Sequence, residues 1–259
     1  MRQEMIKKLL DRFETISLEE MELVRLMNRT DTKYVAHIDK LPEFLQLLEK
    51  DYYVQEISGK KMALYQTMYL DTSDFEMFLN HLNGRKQREK IRIREYVDSK
   101  QVYLEVKKKN NKGRTNKRRI RIPDYNPVQH NGAVQFISTH AQFAYEALSP
   151  HVETMYERIT LVNHQKTERI TVDINLRFRN YRTNNQSSIS DLVVIELKQD
   201  KYASSFIRSV MNRLHIYPMR ISKYCMGSIC TNPQLKYNRY KPKMMKINKL
   251  IKNKYEYVR

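Results

Sequence analysis

The stretch from Arg88 to Ile122 constrains the fold of this chain more tightly than any other. It reads REKIRIREY, a turn at VDSK, QVYLEVKKK, a loop at NNKGRTN, and KRRIRI. Taken with a period of two, Lys90, Arg92 and Arg94 share one face and Ile91 and Ile93 the other, which is the alternation of a β-strand. In the next segment Tyr103, Glu105, Lys107 and Lys109 oppose Val102, Leu104 and Val106. In the third, Lys117, Arg119 and Arg121 alternate with Arg118, Ile120 and Ile122. Three successive strands therefore each present a row of cations.

A charged row is ordinarily the wet face of an antiparallel sheet. Here the signs are too unequal for that reading. Between Arg85 and Arg121 there are 16 Lys/Arg against 4 Asp/Glu, and like charges opposite one another destabilise a sheet. The face needs an anion. Of the formal charge of +19 on 259 residues, this stretch holds +12 and residues 236–259 hold +8, so the remainder is close to neutral. The chain reads as one large domain, residues 1–235, followed by a basic C-terminal tail, 236–259. Its apolar runs are too short for a transmembrane helix, and the N-terminus lacks the features of a signal peptide. The expectation is a soluble, cytoplasmic protein, with room for peripheral attachment at a membrane through the tail. Cys225 and Cys230 have no second pair with which to build a metal cage and read as free thiols.

Along the chain, MIKKLLDRF has helical spacing, and Ser17 with Glu20 forms a capping box for a helix over SLEEMELVRLM. Arg29, Asp31 and Lys33 alternate with Thr30 and Thr32 on a further charged strand. Asp39 is a candidate cap for a helix through Phe44 and Leu48. ALYQTMYLDT reads as a strand, and Asp71 or Ser73 as the cap of the helix after it. VQFISTHAQFAYEALSP is predicted to be helical up to Pro150. Strands follow at 154–162, aligning Tyr156, Arg158 and Thr160, and at 168–178, aligning Arg169, Thr171, Asp173, Asn175 and Arg177. RTNNQSSIS reads as a loop, and DLVVIELKQD as a strand with Val194, Glu196 and Lys198 on one face. A helix is expected over KYASSFIRSVMNRLH, a short helix or turn at RISKYCMGSIC, and the basic tail has the spacing for a helix around Met244 to Ile251.

Roughly eight evenly spaced strands with a few helices predict an α+β protein: a closed antiparallel β-barrel with packing helices. Turning every charged face inward leaves the apolar faces to meet the helices and creates a cationic tunnel. Phosphate chains match such a lumen, because Arg and Lys bind them through charge-assisted hydrogen bonds. Asp31, Glu105, Asp173 and Glu196 are the carboxylates available there to a divalent metal. With five glycines there is no GxGxxG and no GxxxxGK[ST], and neither HExxH nor GxSxG occurs. Phosphoryl transfer by positioning and charge fits a chain without a nucleophile motif.

RTDTKY, YLDTSDF, KIRIREY, YLEVKKK with the downstream KRR, ERITVDINLRF, VVIELKQD and SKYC occur here in an order that resembles the VTC domain. That is the polyphosphate polymerase domain of the vacuolar transporter chaperone complex and its free-standing bacterial relatives, within the CYTH or triphosphate tunnel metalloenzyme superfamily. The resemblance spans about residues 20–230. It implies an eight-stranded triphosphate tunnel that uses Mn²⁺ or Mg²⁺ to transfer the γ-phosphate of ATP to a growing inorganic polyphosphate chain. ATP and polyphosphate or pyrophosphate are the implied partners; no sequence-specific nucleic acid is implied, and a membrane-protein partner is compatible with it. By matching positions, Lys33, Arg92, Arg94, Lys107, Lys117, Arg158 and Arg169 would act on the phosphates, with Arg29, Tyr156, Lys198, Ser222 and Lys223 binding substrate. Glu196, with Asp31 and Glu105, would hold the metal. Hydrolytic members of the superfamily open with ExExK, whereas Arg29-x-Asp31-x-Lys33 stands here and replaces one carboxylate by a cation. The alternatives are a tripolyphosphatase or nucleotide triphosphatase of the same fold, and a non-catalytic module binding polyphosphate or nucleic acid. Tyr103 and Tyr156 are the stacking aromatics available to the last of these.

Overall fold

The alternating segments do form strands, and in the computed structural model they join one sheet. The structure describes residues 2–22, 29–126, 131–200 and 206–251. In chain order, α1 (Arg2–Leu10) precedes β1 (Thr15–Ile16), α2 (Leu18–Glu22), β2 (Arg29–His37) and α3 (Leu41–Leu48). Next come β3 (Tyr52–Gln55), β4 (Ala63–Asp71), α4 (Glu76–Leu82) and the central strands β5 (Arg88–Tyr96), β6 (Gln101–Lys109) and β7 (Thr115–Ile122). After α5 (Asn131–His140) follow β8 (Ser149–Asn163), β9 (Glu168–Asn180), β10 (Gln186–Ile189) and β11 (Leu192–Asp200). Three helices complete the chain: α6 (Phe206–Arg213), α7 (Lys223–Thr231) and α8 (Lys241–Ile251).

The main path is β2-β11-β9-β8-β4-β5-β6-β7, eight strands paired antiparallel throughout, as the alternation requires. The expected closed barrel is corrected in one respect: among the described residues no pairing joins β7 to β2, so the sheet has a seam. Edge strand β7 carries Lys117, Arg118, Arg119 and Arg121, and β2 carries Arg29 and Lys33. A charged edge resists further pairing. The two ends nevertheless approach across the interior, since Lys107 on β6 lies in the field of Glu196, Lys33 and Asp31 from β11 and β2.

Several local expectations also change. The capping box is present, with Ser17 N–H donating to Glu20 Oε2 (2.9 Å) and Glu20 N–H to Ser17 Oγ (3.2 Å), while residues 23–28 of the expected helix lie outside the described residues. Asp39 does not cap α3; it sits in a 3-10 turn and pairs with Arg2 at 3.0 Å. Asp71 accepts from the N–H groups of Met77 and Phe78, both at 2.9 Å, and so serves the start of α4. Residues 141–150 are not α-helical and hold one 3-10 turn, Tyr145–Ala147. α5 stops at His140, and Pro150 is the second residue of β8, beside the register shift at Tyr69/Leu70, where a residue without an N–H is tolerated. Gln186–Ile189, read as loop, pairs with β9. Two short strands that the sequence reading did not assign are also present: β1 pairs parallel with β3, and β3 pairs antiparallel with β8.

Packing determines which way the cations point. Ile91, Ile93, Leu104, Val106 and Ile122 share a buried cluster with Met77 and Phe78 of α4 and with Ala133 and Ile137 of α5. Ile170, Val172, Val193, Ile195 and Leu197 form a second cluster with α1, α3 and α6. A slip of one residue in any of these strands would move its apolar row into the charged interior, at a cost of about 1.5–3 kcal/mol per side chain. Tyr240, Met244, Ile247 and Ile251 join the first cluster, so α8 packs on the sheet. Among the described residues no helix is long and apolar enough to cross a membrane.

A cationic lumen as candidate active site

Register aligns the polar faces into one lining. Across β4, β5 and β6, Tyr69 opposes Arg92, which opposes Glu105, and Thr67 opposes Arg94, which opposes Tyr103. Lys90 opposes Lys107, and Lys107 opposes Lys117 on β7. On the other side Arg158 opposes Asp173, Arg169 opposes Lys198, and Glu196 and Lys198 oppose Lys33 and Asp31. Arg29 opposes Asp200 in β2, and its side chain lies outside the described residues.

Three buried or half-buried carboxylates hold this lining in place. Glu105 receives Arg92 Nε at 2.6 Å and is ion-paired to Lys117. Burial would push its carboxyl up, but Arg92, Arg94 and Lys117 prevail and hold it below the usual range. Asp173 is gripped by Arg158 through a fork, Nε to Oδ1 at 2.6 Å and a terminal nitrogen to Oδ2 at 2.8 Å, and it also accepts from Lys223. It too is held low, because Arg158 and Lys223 outweigh the effect of burial. Glu196 pairs with Lys33 at 2.6 Å.

The cations outnumber these partners. Among the described residues Arg94 bonds only neutral groups, Thr67 Oγ1 at 3.2 Å and the Tyr156 hydroxyl at 3.3 Å. Lys90 donates to Ser222 Oγ at 3.0 Å. Among the described residues neither Lys107 nor Lys198 has a carboxylate within ion-pair distance. Desolvation pushes both amines down, Lys107 although that residue is exposed, and half-buried Lys198 to about 8 with Arg169 and Arg158 acting in the same direction. Depressed lysines beside arginines mark a site short of negative charge.

One end of the lumen meets α7. Ser222 caps this helix by accepting from Cys225 N–H (3.3 Å), and Lys223 lies over the Tyr156 ring at 4.4 Å. The helix terminus thus points its positive end at the same space.

The model of the VTC domain family matches residues 28–232. The chain belongs to the VTC domain family. No curated protein sequence gives a significant match. Among solved structures, a Hippeastrum protein described as an adenylyl cyclase candidate with a dominant triphosphatase activity is 12% identical and has a TM-score of 0.51. That match covers 82% of this chain and 100% of that one. An adenylate cyclase candidate from Vibrio parahaemolyticus is 11% identical with a TM-score of 0.45, covering 78% and 99%. A conserved hypothetical protein from Pyrococcus furiosus is 15% identical with a TM-score of 0.41, covering 76% and 99%. The Hippeastrum likeness supports the tunnel-type α+β fold for this VTC domain.

Lys33, Arg92, Arg94, Lys107, Lys117, Tyr156, Arg158, Lys223, Glu105 and Glu196 of this VTC domain are thus tied to the lumen by bonds or mutual fields. Asp31 and Arg169 enter by register. Asn175 and Arg177 do not continue the row. Asn175 is left-handed (φ 54°) opposite a register shift at Met155/Glu157, and Arg177 is exposed. Sequence reasoning left Lys90, Tyr65 and Tyr69 without roles. Tyr65 lies beneath Arg158 and Arg94, 4.8 and 5.6 Å from ring centre to guanidinium carbon. Tyr69 stacks on Tyr224 at 4.7 Å. Burial would raise the Tyr69 hydroxyl, but Arg92, Lys90, Arg94 and Lys223 bring it below its ordinary range. The alternation in LYQTMYLD does put Tyr65, Thr67 and Tyr69 on one face, yet aromatic rings there read equally well as core.

The described residues contain no group of three or more His, Cys, Asp or Glu side chains placed to hold a metal. Glu105 is occupied by Arg92 and Lys117, and Glu196 lies diagonal to Asp31 across the β2–β11 pair. This donor set fits a divalent ion that takes much of its coordination from phosphate oxygens.

Proposed function

We propose that this VTC domain is a polyphosphate polymerase that transfers the γ-phosphate of ATP to a polyphosphate chain held in its lumen. The observation that carries this reading is the surplus of cations on the lumen face, with Arg94 buried and Lys90 and Lys198 half-buried, after Glu105, Asp173 and Glu196 have been paired. A row of Arg and Lys across several strands suits a chain of phosphates better than a single group. In-line transfer needs an acceptor aligned behind the γ-phosphate, and a second chain end held on Arg92, Arg94, Arg158 and Lys223 would stand there at high effective concentration. Arg158, fixed by its fork to Asp173, and Arg94, fixed by Thr67 and Tyr156, offer preorganised donors to charge that develops during transfer. Mn²⁺ or Mg²⁺ would be held by Glu196 with Asp31 and phosphate oxygens, and when bound it neutralises charge on the transferred group.

The second reading is a triphosphatase, the activity named for the Hippeastrum protein of like fold. Incubation with ATP, Mn²⁺ and a short polyphosphate primer separates the two. The expected products are ADP and acid-insoluble polyphosphate. Stoichiometric free phosphate with no chain growth would establish the triphosphatase, and binding without turnover the non-catalytic module.

A further inference from the structure

A second cationic space lies where β5, β6 and β7 end. A cavity of about 550 Å³ is lined by five cations, Arg88, Lys108, Lys109, Arg114 and Lys117. Its one carboxylate, Glu89, is 2% exposed, and both its oxygens accept from the Gln142 N–H, at 3.1 and 3.2 Å. Lys108 approaches that carboxylate at 3.7 Å. Glu89 therefore braces the floor of the cavity and presents little negative charge to its opening. Lys109 and Arg114 make no ion pair among the described residues.

The cavity is also preformed. The turn that presents Arg114 is held by Arg114 N–H to Asn110 Oδ1 (2.9 Å), by Asn110 N–H to the Arg114 carbonyl (3.0 Å) and by Gly113 in a left-handed conformation (φ 79°). A turn whose backbone is already fixed loses less freedom on binding than a loose loop. Lys117 connects the two spaces, because it lines this cavity and pairs with Glu105 of the lumen.

We propose that this cavity is a second subsite for phosphate chains, which takes the part of a long polyphosphate extending past the lumen; this rests on the polymerase reading above. A polyphosphate chain that keeps growing outruns the row of lumen side chains, and this cavity adjoins that row through Lys117. Short ligands, confined to the lumen, would not reach Lys109 or Arg114.

The test is titration of the full chain with long-chain polyphosphate and, separately, with tripolyphosphate, comparing wild type, K109A/R114A and the charge-conserving K109R/R114K. Removing the two cations is expected to weaken binding of the long chain about tenfold, or ~1.4 kcal/mol. Tripolyphosphate affinity should stay within about twofold of wild type, and K109R/R114K should restore long-chain binding. Equal losses for both ligands, or no loss for the long chain, would overturn the subsite while leaving the lumen reading intact. Failure of the wild type to bind either ligand would instead overturn the polymerase reading, and the subsite with it.

Discussion

Replacing Asp173 by Asn separates holding the lumen together from holding its ligand. Asp173 is 2% exposed and bonded to both Arg158 and Lys223. Asn retains one carbonyl oxygen but no charge, so two cations lose their shared counter-charge in a poorly solvated place. Breaking a buried pair costs about 3–5 kcal/mol. Because the amide can still accept from Arg158, the low end, about 3 kcal/mol, is expected. At about 2–4 °C per kcal/mol for a chain of this size, the melting temperature should fall by roughly 6–12 °C. Binding should move the other way, since the substitution removes negative charge from a site that receives an anion. Tripolyphosphate at about 100 times its Kd adds about 2.7 kcal/mol to any folded protein that binds it. D173N should therefore gain more from a fixed tripolyphosphate concentration than the wild type does. Thermal melts with and without tripolyphosphate, paired with titrations, measure both effects. An unliganded D173N as stable as wild type would show that the Arg158–Asp173–Lys223 cluster is not holding the lumen. Weaker tripolyphosphate binding in a folded D173N would show that Arg158 and Lys223 do not face the ligand.

Three further outcomes are expected. Glu196→Gln should lower turnover at least about 100-fold with polyphosphate affinity nearly unchanged, because metal charge acts on transfer whereas the cations do most of the holding; wild-type turnover at saturating metal would refute the assignment. Tyr69→Phe should reduce tripolyphosphate affinity about tenfold at an unchanged melting temperature, the loss of one hydrogen bond to a charged group; an unchanged affinity would remove Tyr69 from the site. His151, buried against Phe75, Phe78 and Tyr224, is held down at about 4 by burial and then by Arg182, below its ordinary 6.5. The folded protein then binds fewer protons than the unfolded one in that window. Stability is complete above pH 6.5 and falls by up to about 3 kcal/mol as pH drops toward 4. Melting curves of wild type and His151→Gln from pH 7 to 4.5 should converge on the acid side, and parallel curves would contradict the assignment.

Much of the site was legible along the chain. The period of two in REKIRIREY and QVYLEVKKK assigned Arg92, Arg94, Glu105 and Lys107 to one face, and burial of Ile91, Ile93, Leu104 and Val106 on the other made that face the lining. Such alternation is local, since neighbouring side chains on a strand must point to opposite sides whatever the strand pairs with. The excess of Lys and Arg was likewise visible in composition and led to the expectation of an anionic ligand.

Partner identity was not legible, because it depends on strand order and on contacts distant in sequence. Nothing near Lys90 announces Ser222, 132 residues later, as its acceptor, nor does the sequence around Asp173 announce Lys223, 50 residues on. The same holds for the seam between β7 and β2 and for the turn of β9 at Asn175, where pairing and crowding among remote strands override a continuous alternating pattern. Sequence alone determined which residues could line a cationic interior, because side-chain direction on a strand is a short-range property. Only the tertiary structure decided which of those cations have a carboxylate partner among the described residues and which do not, because that balance is set by groups the chain brings together from far apart.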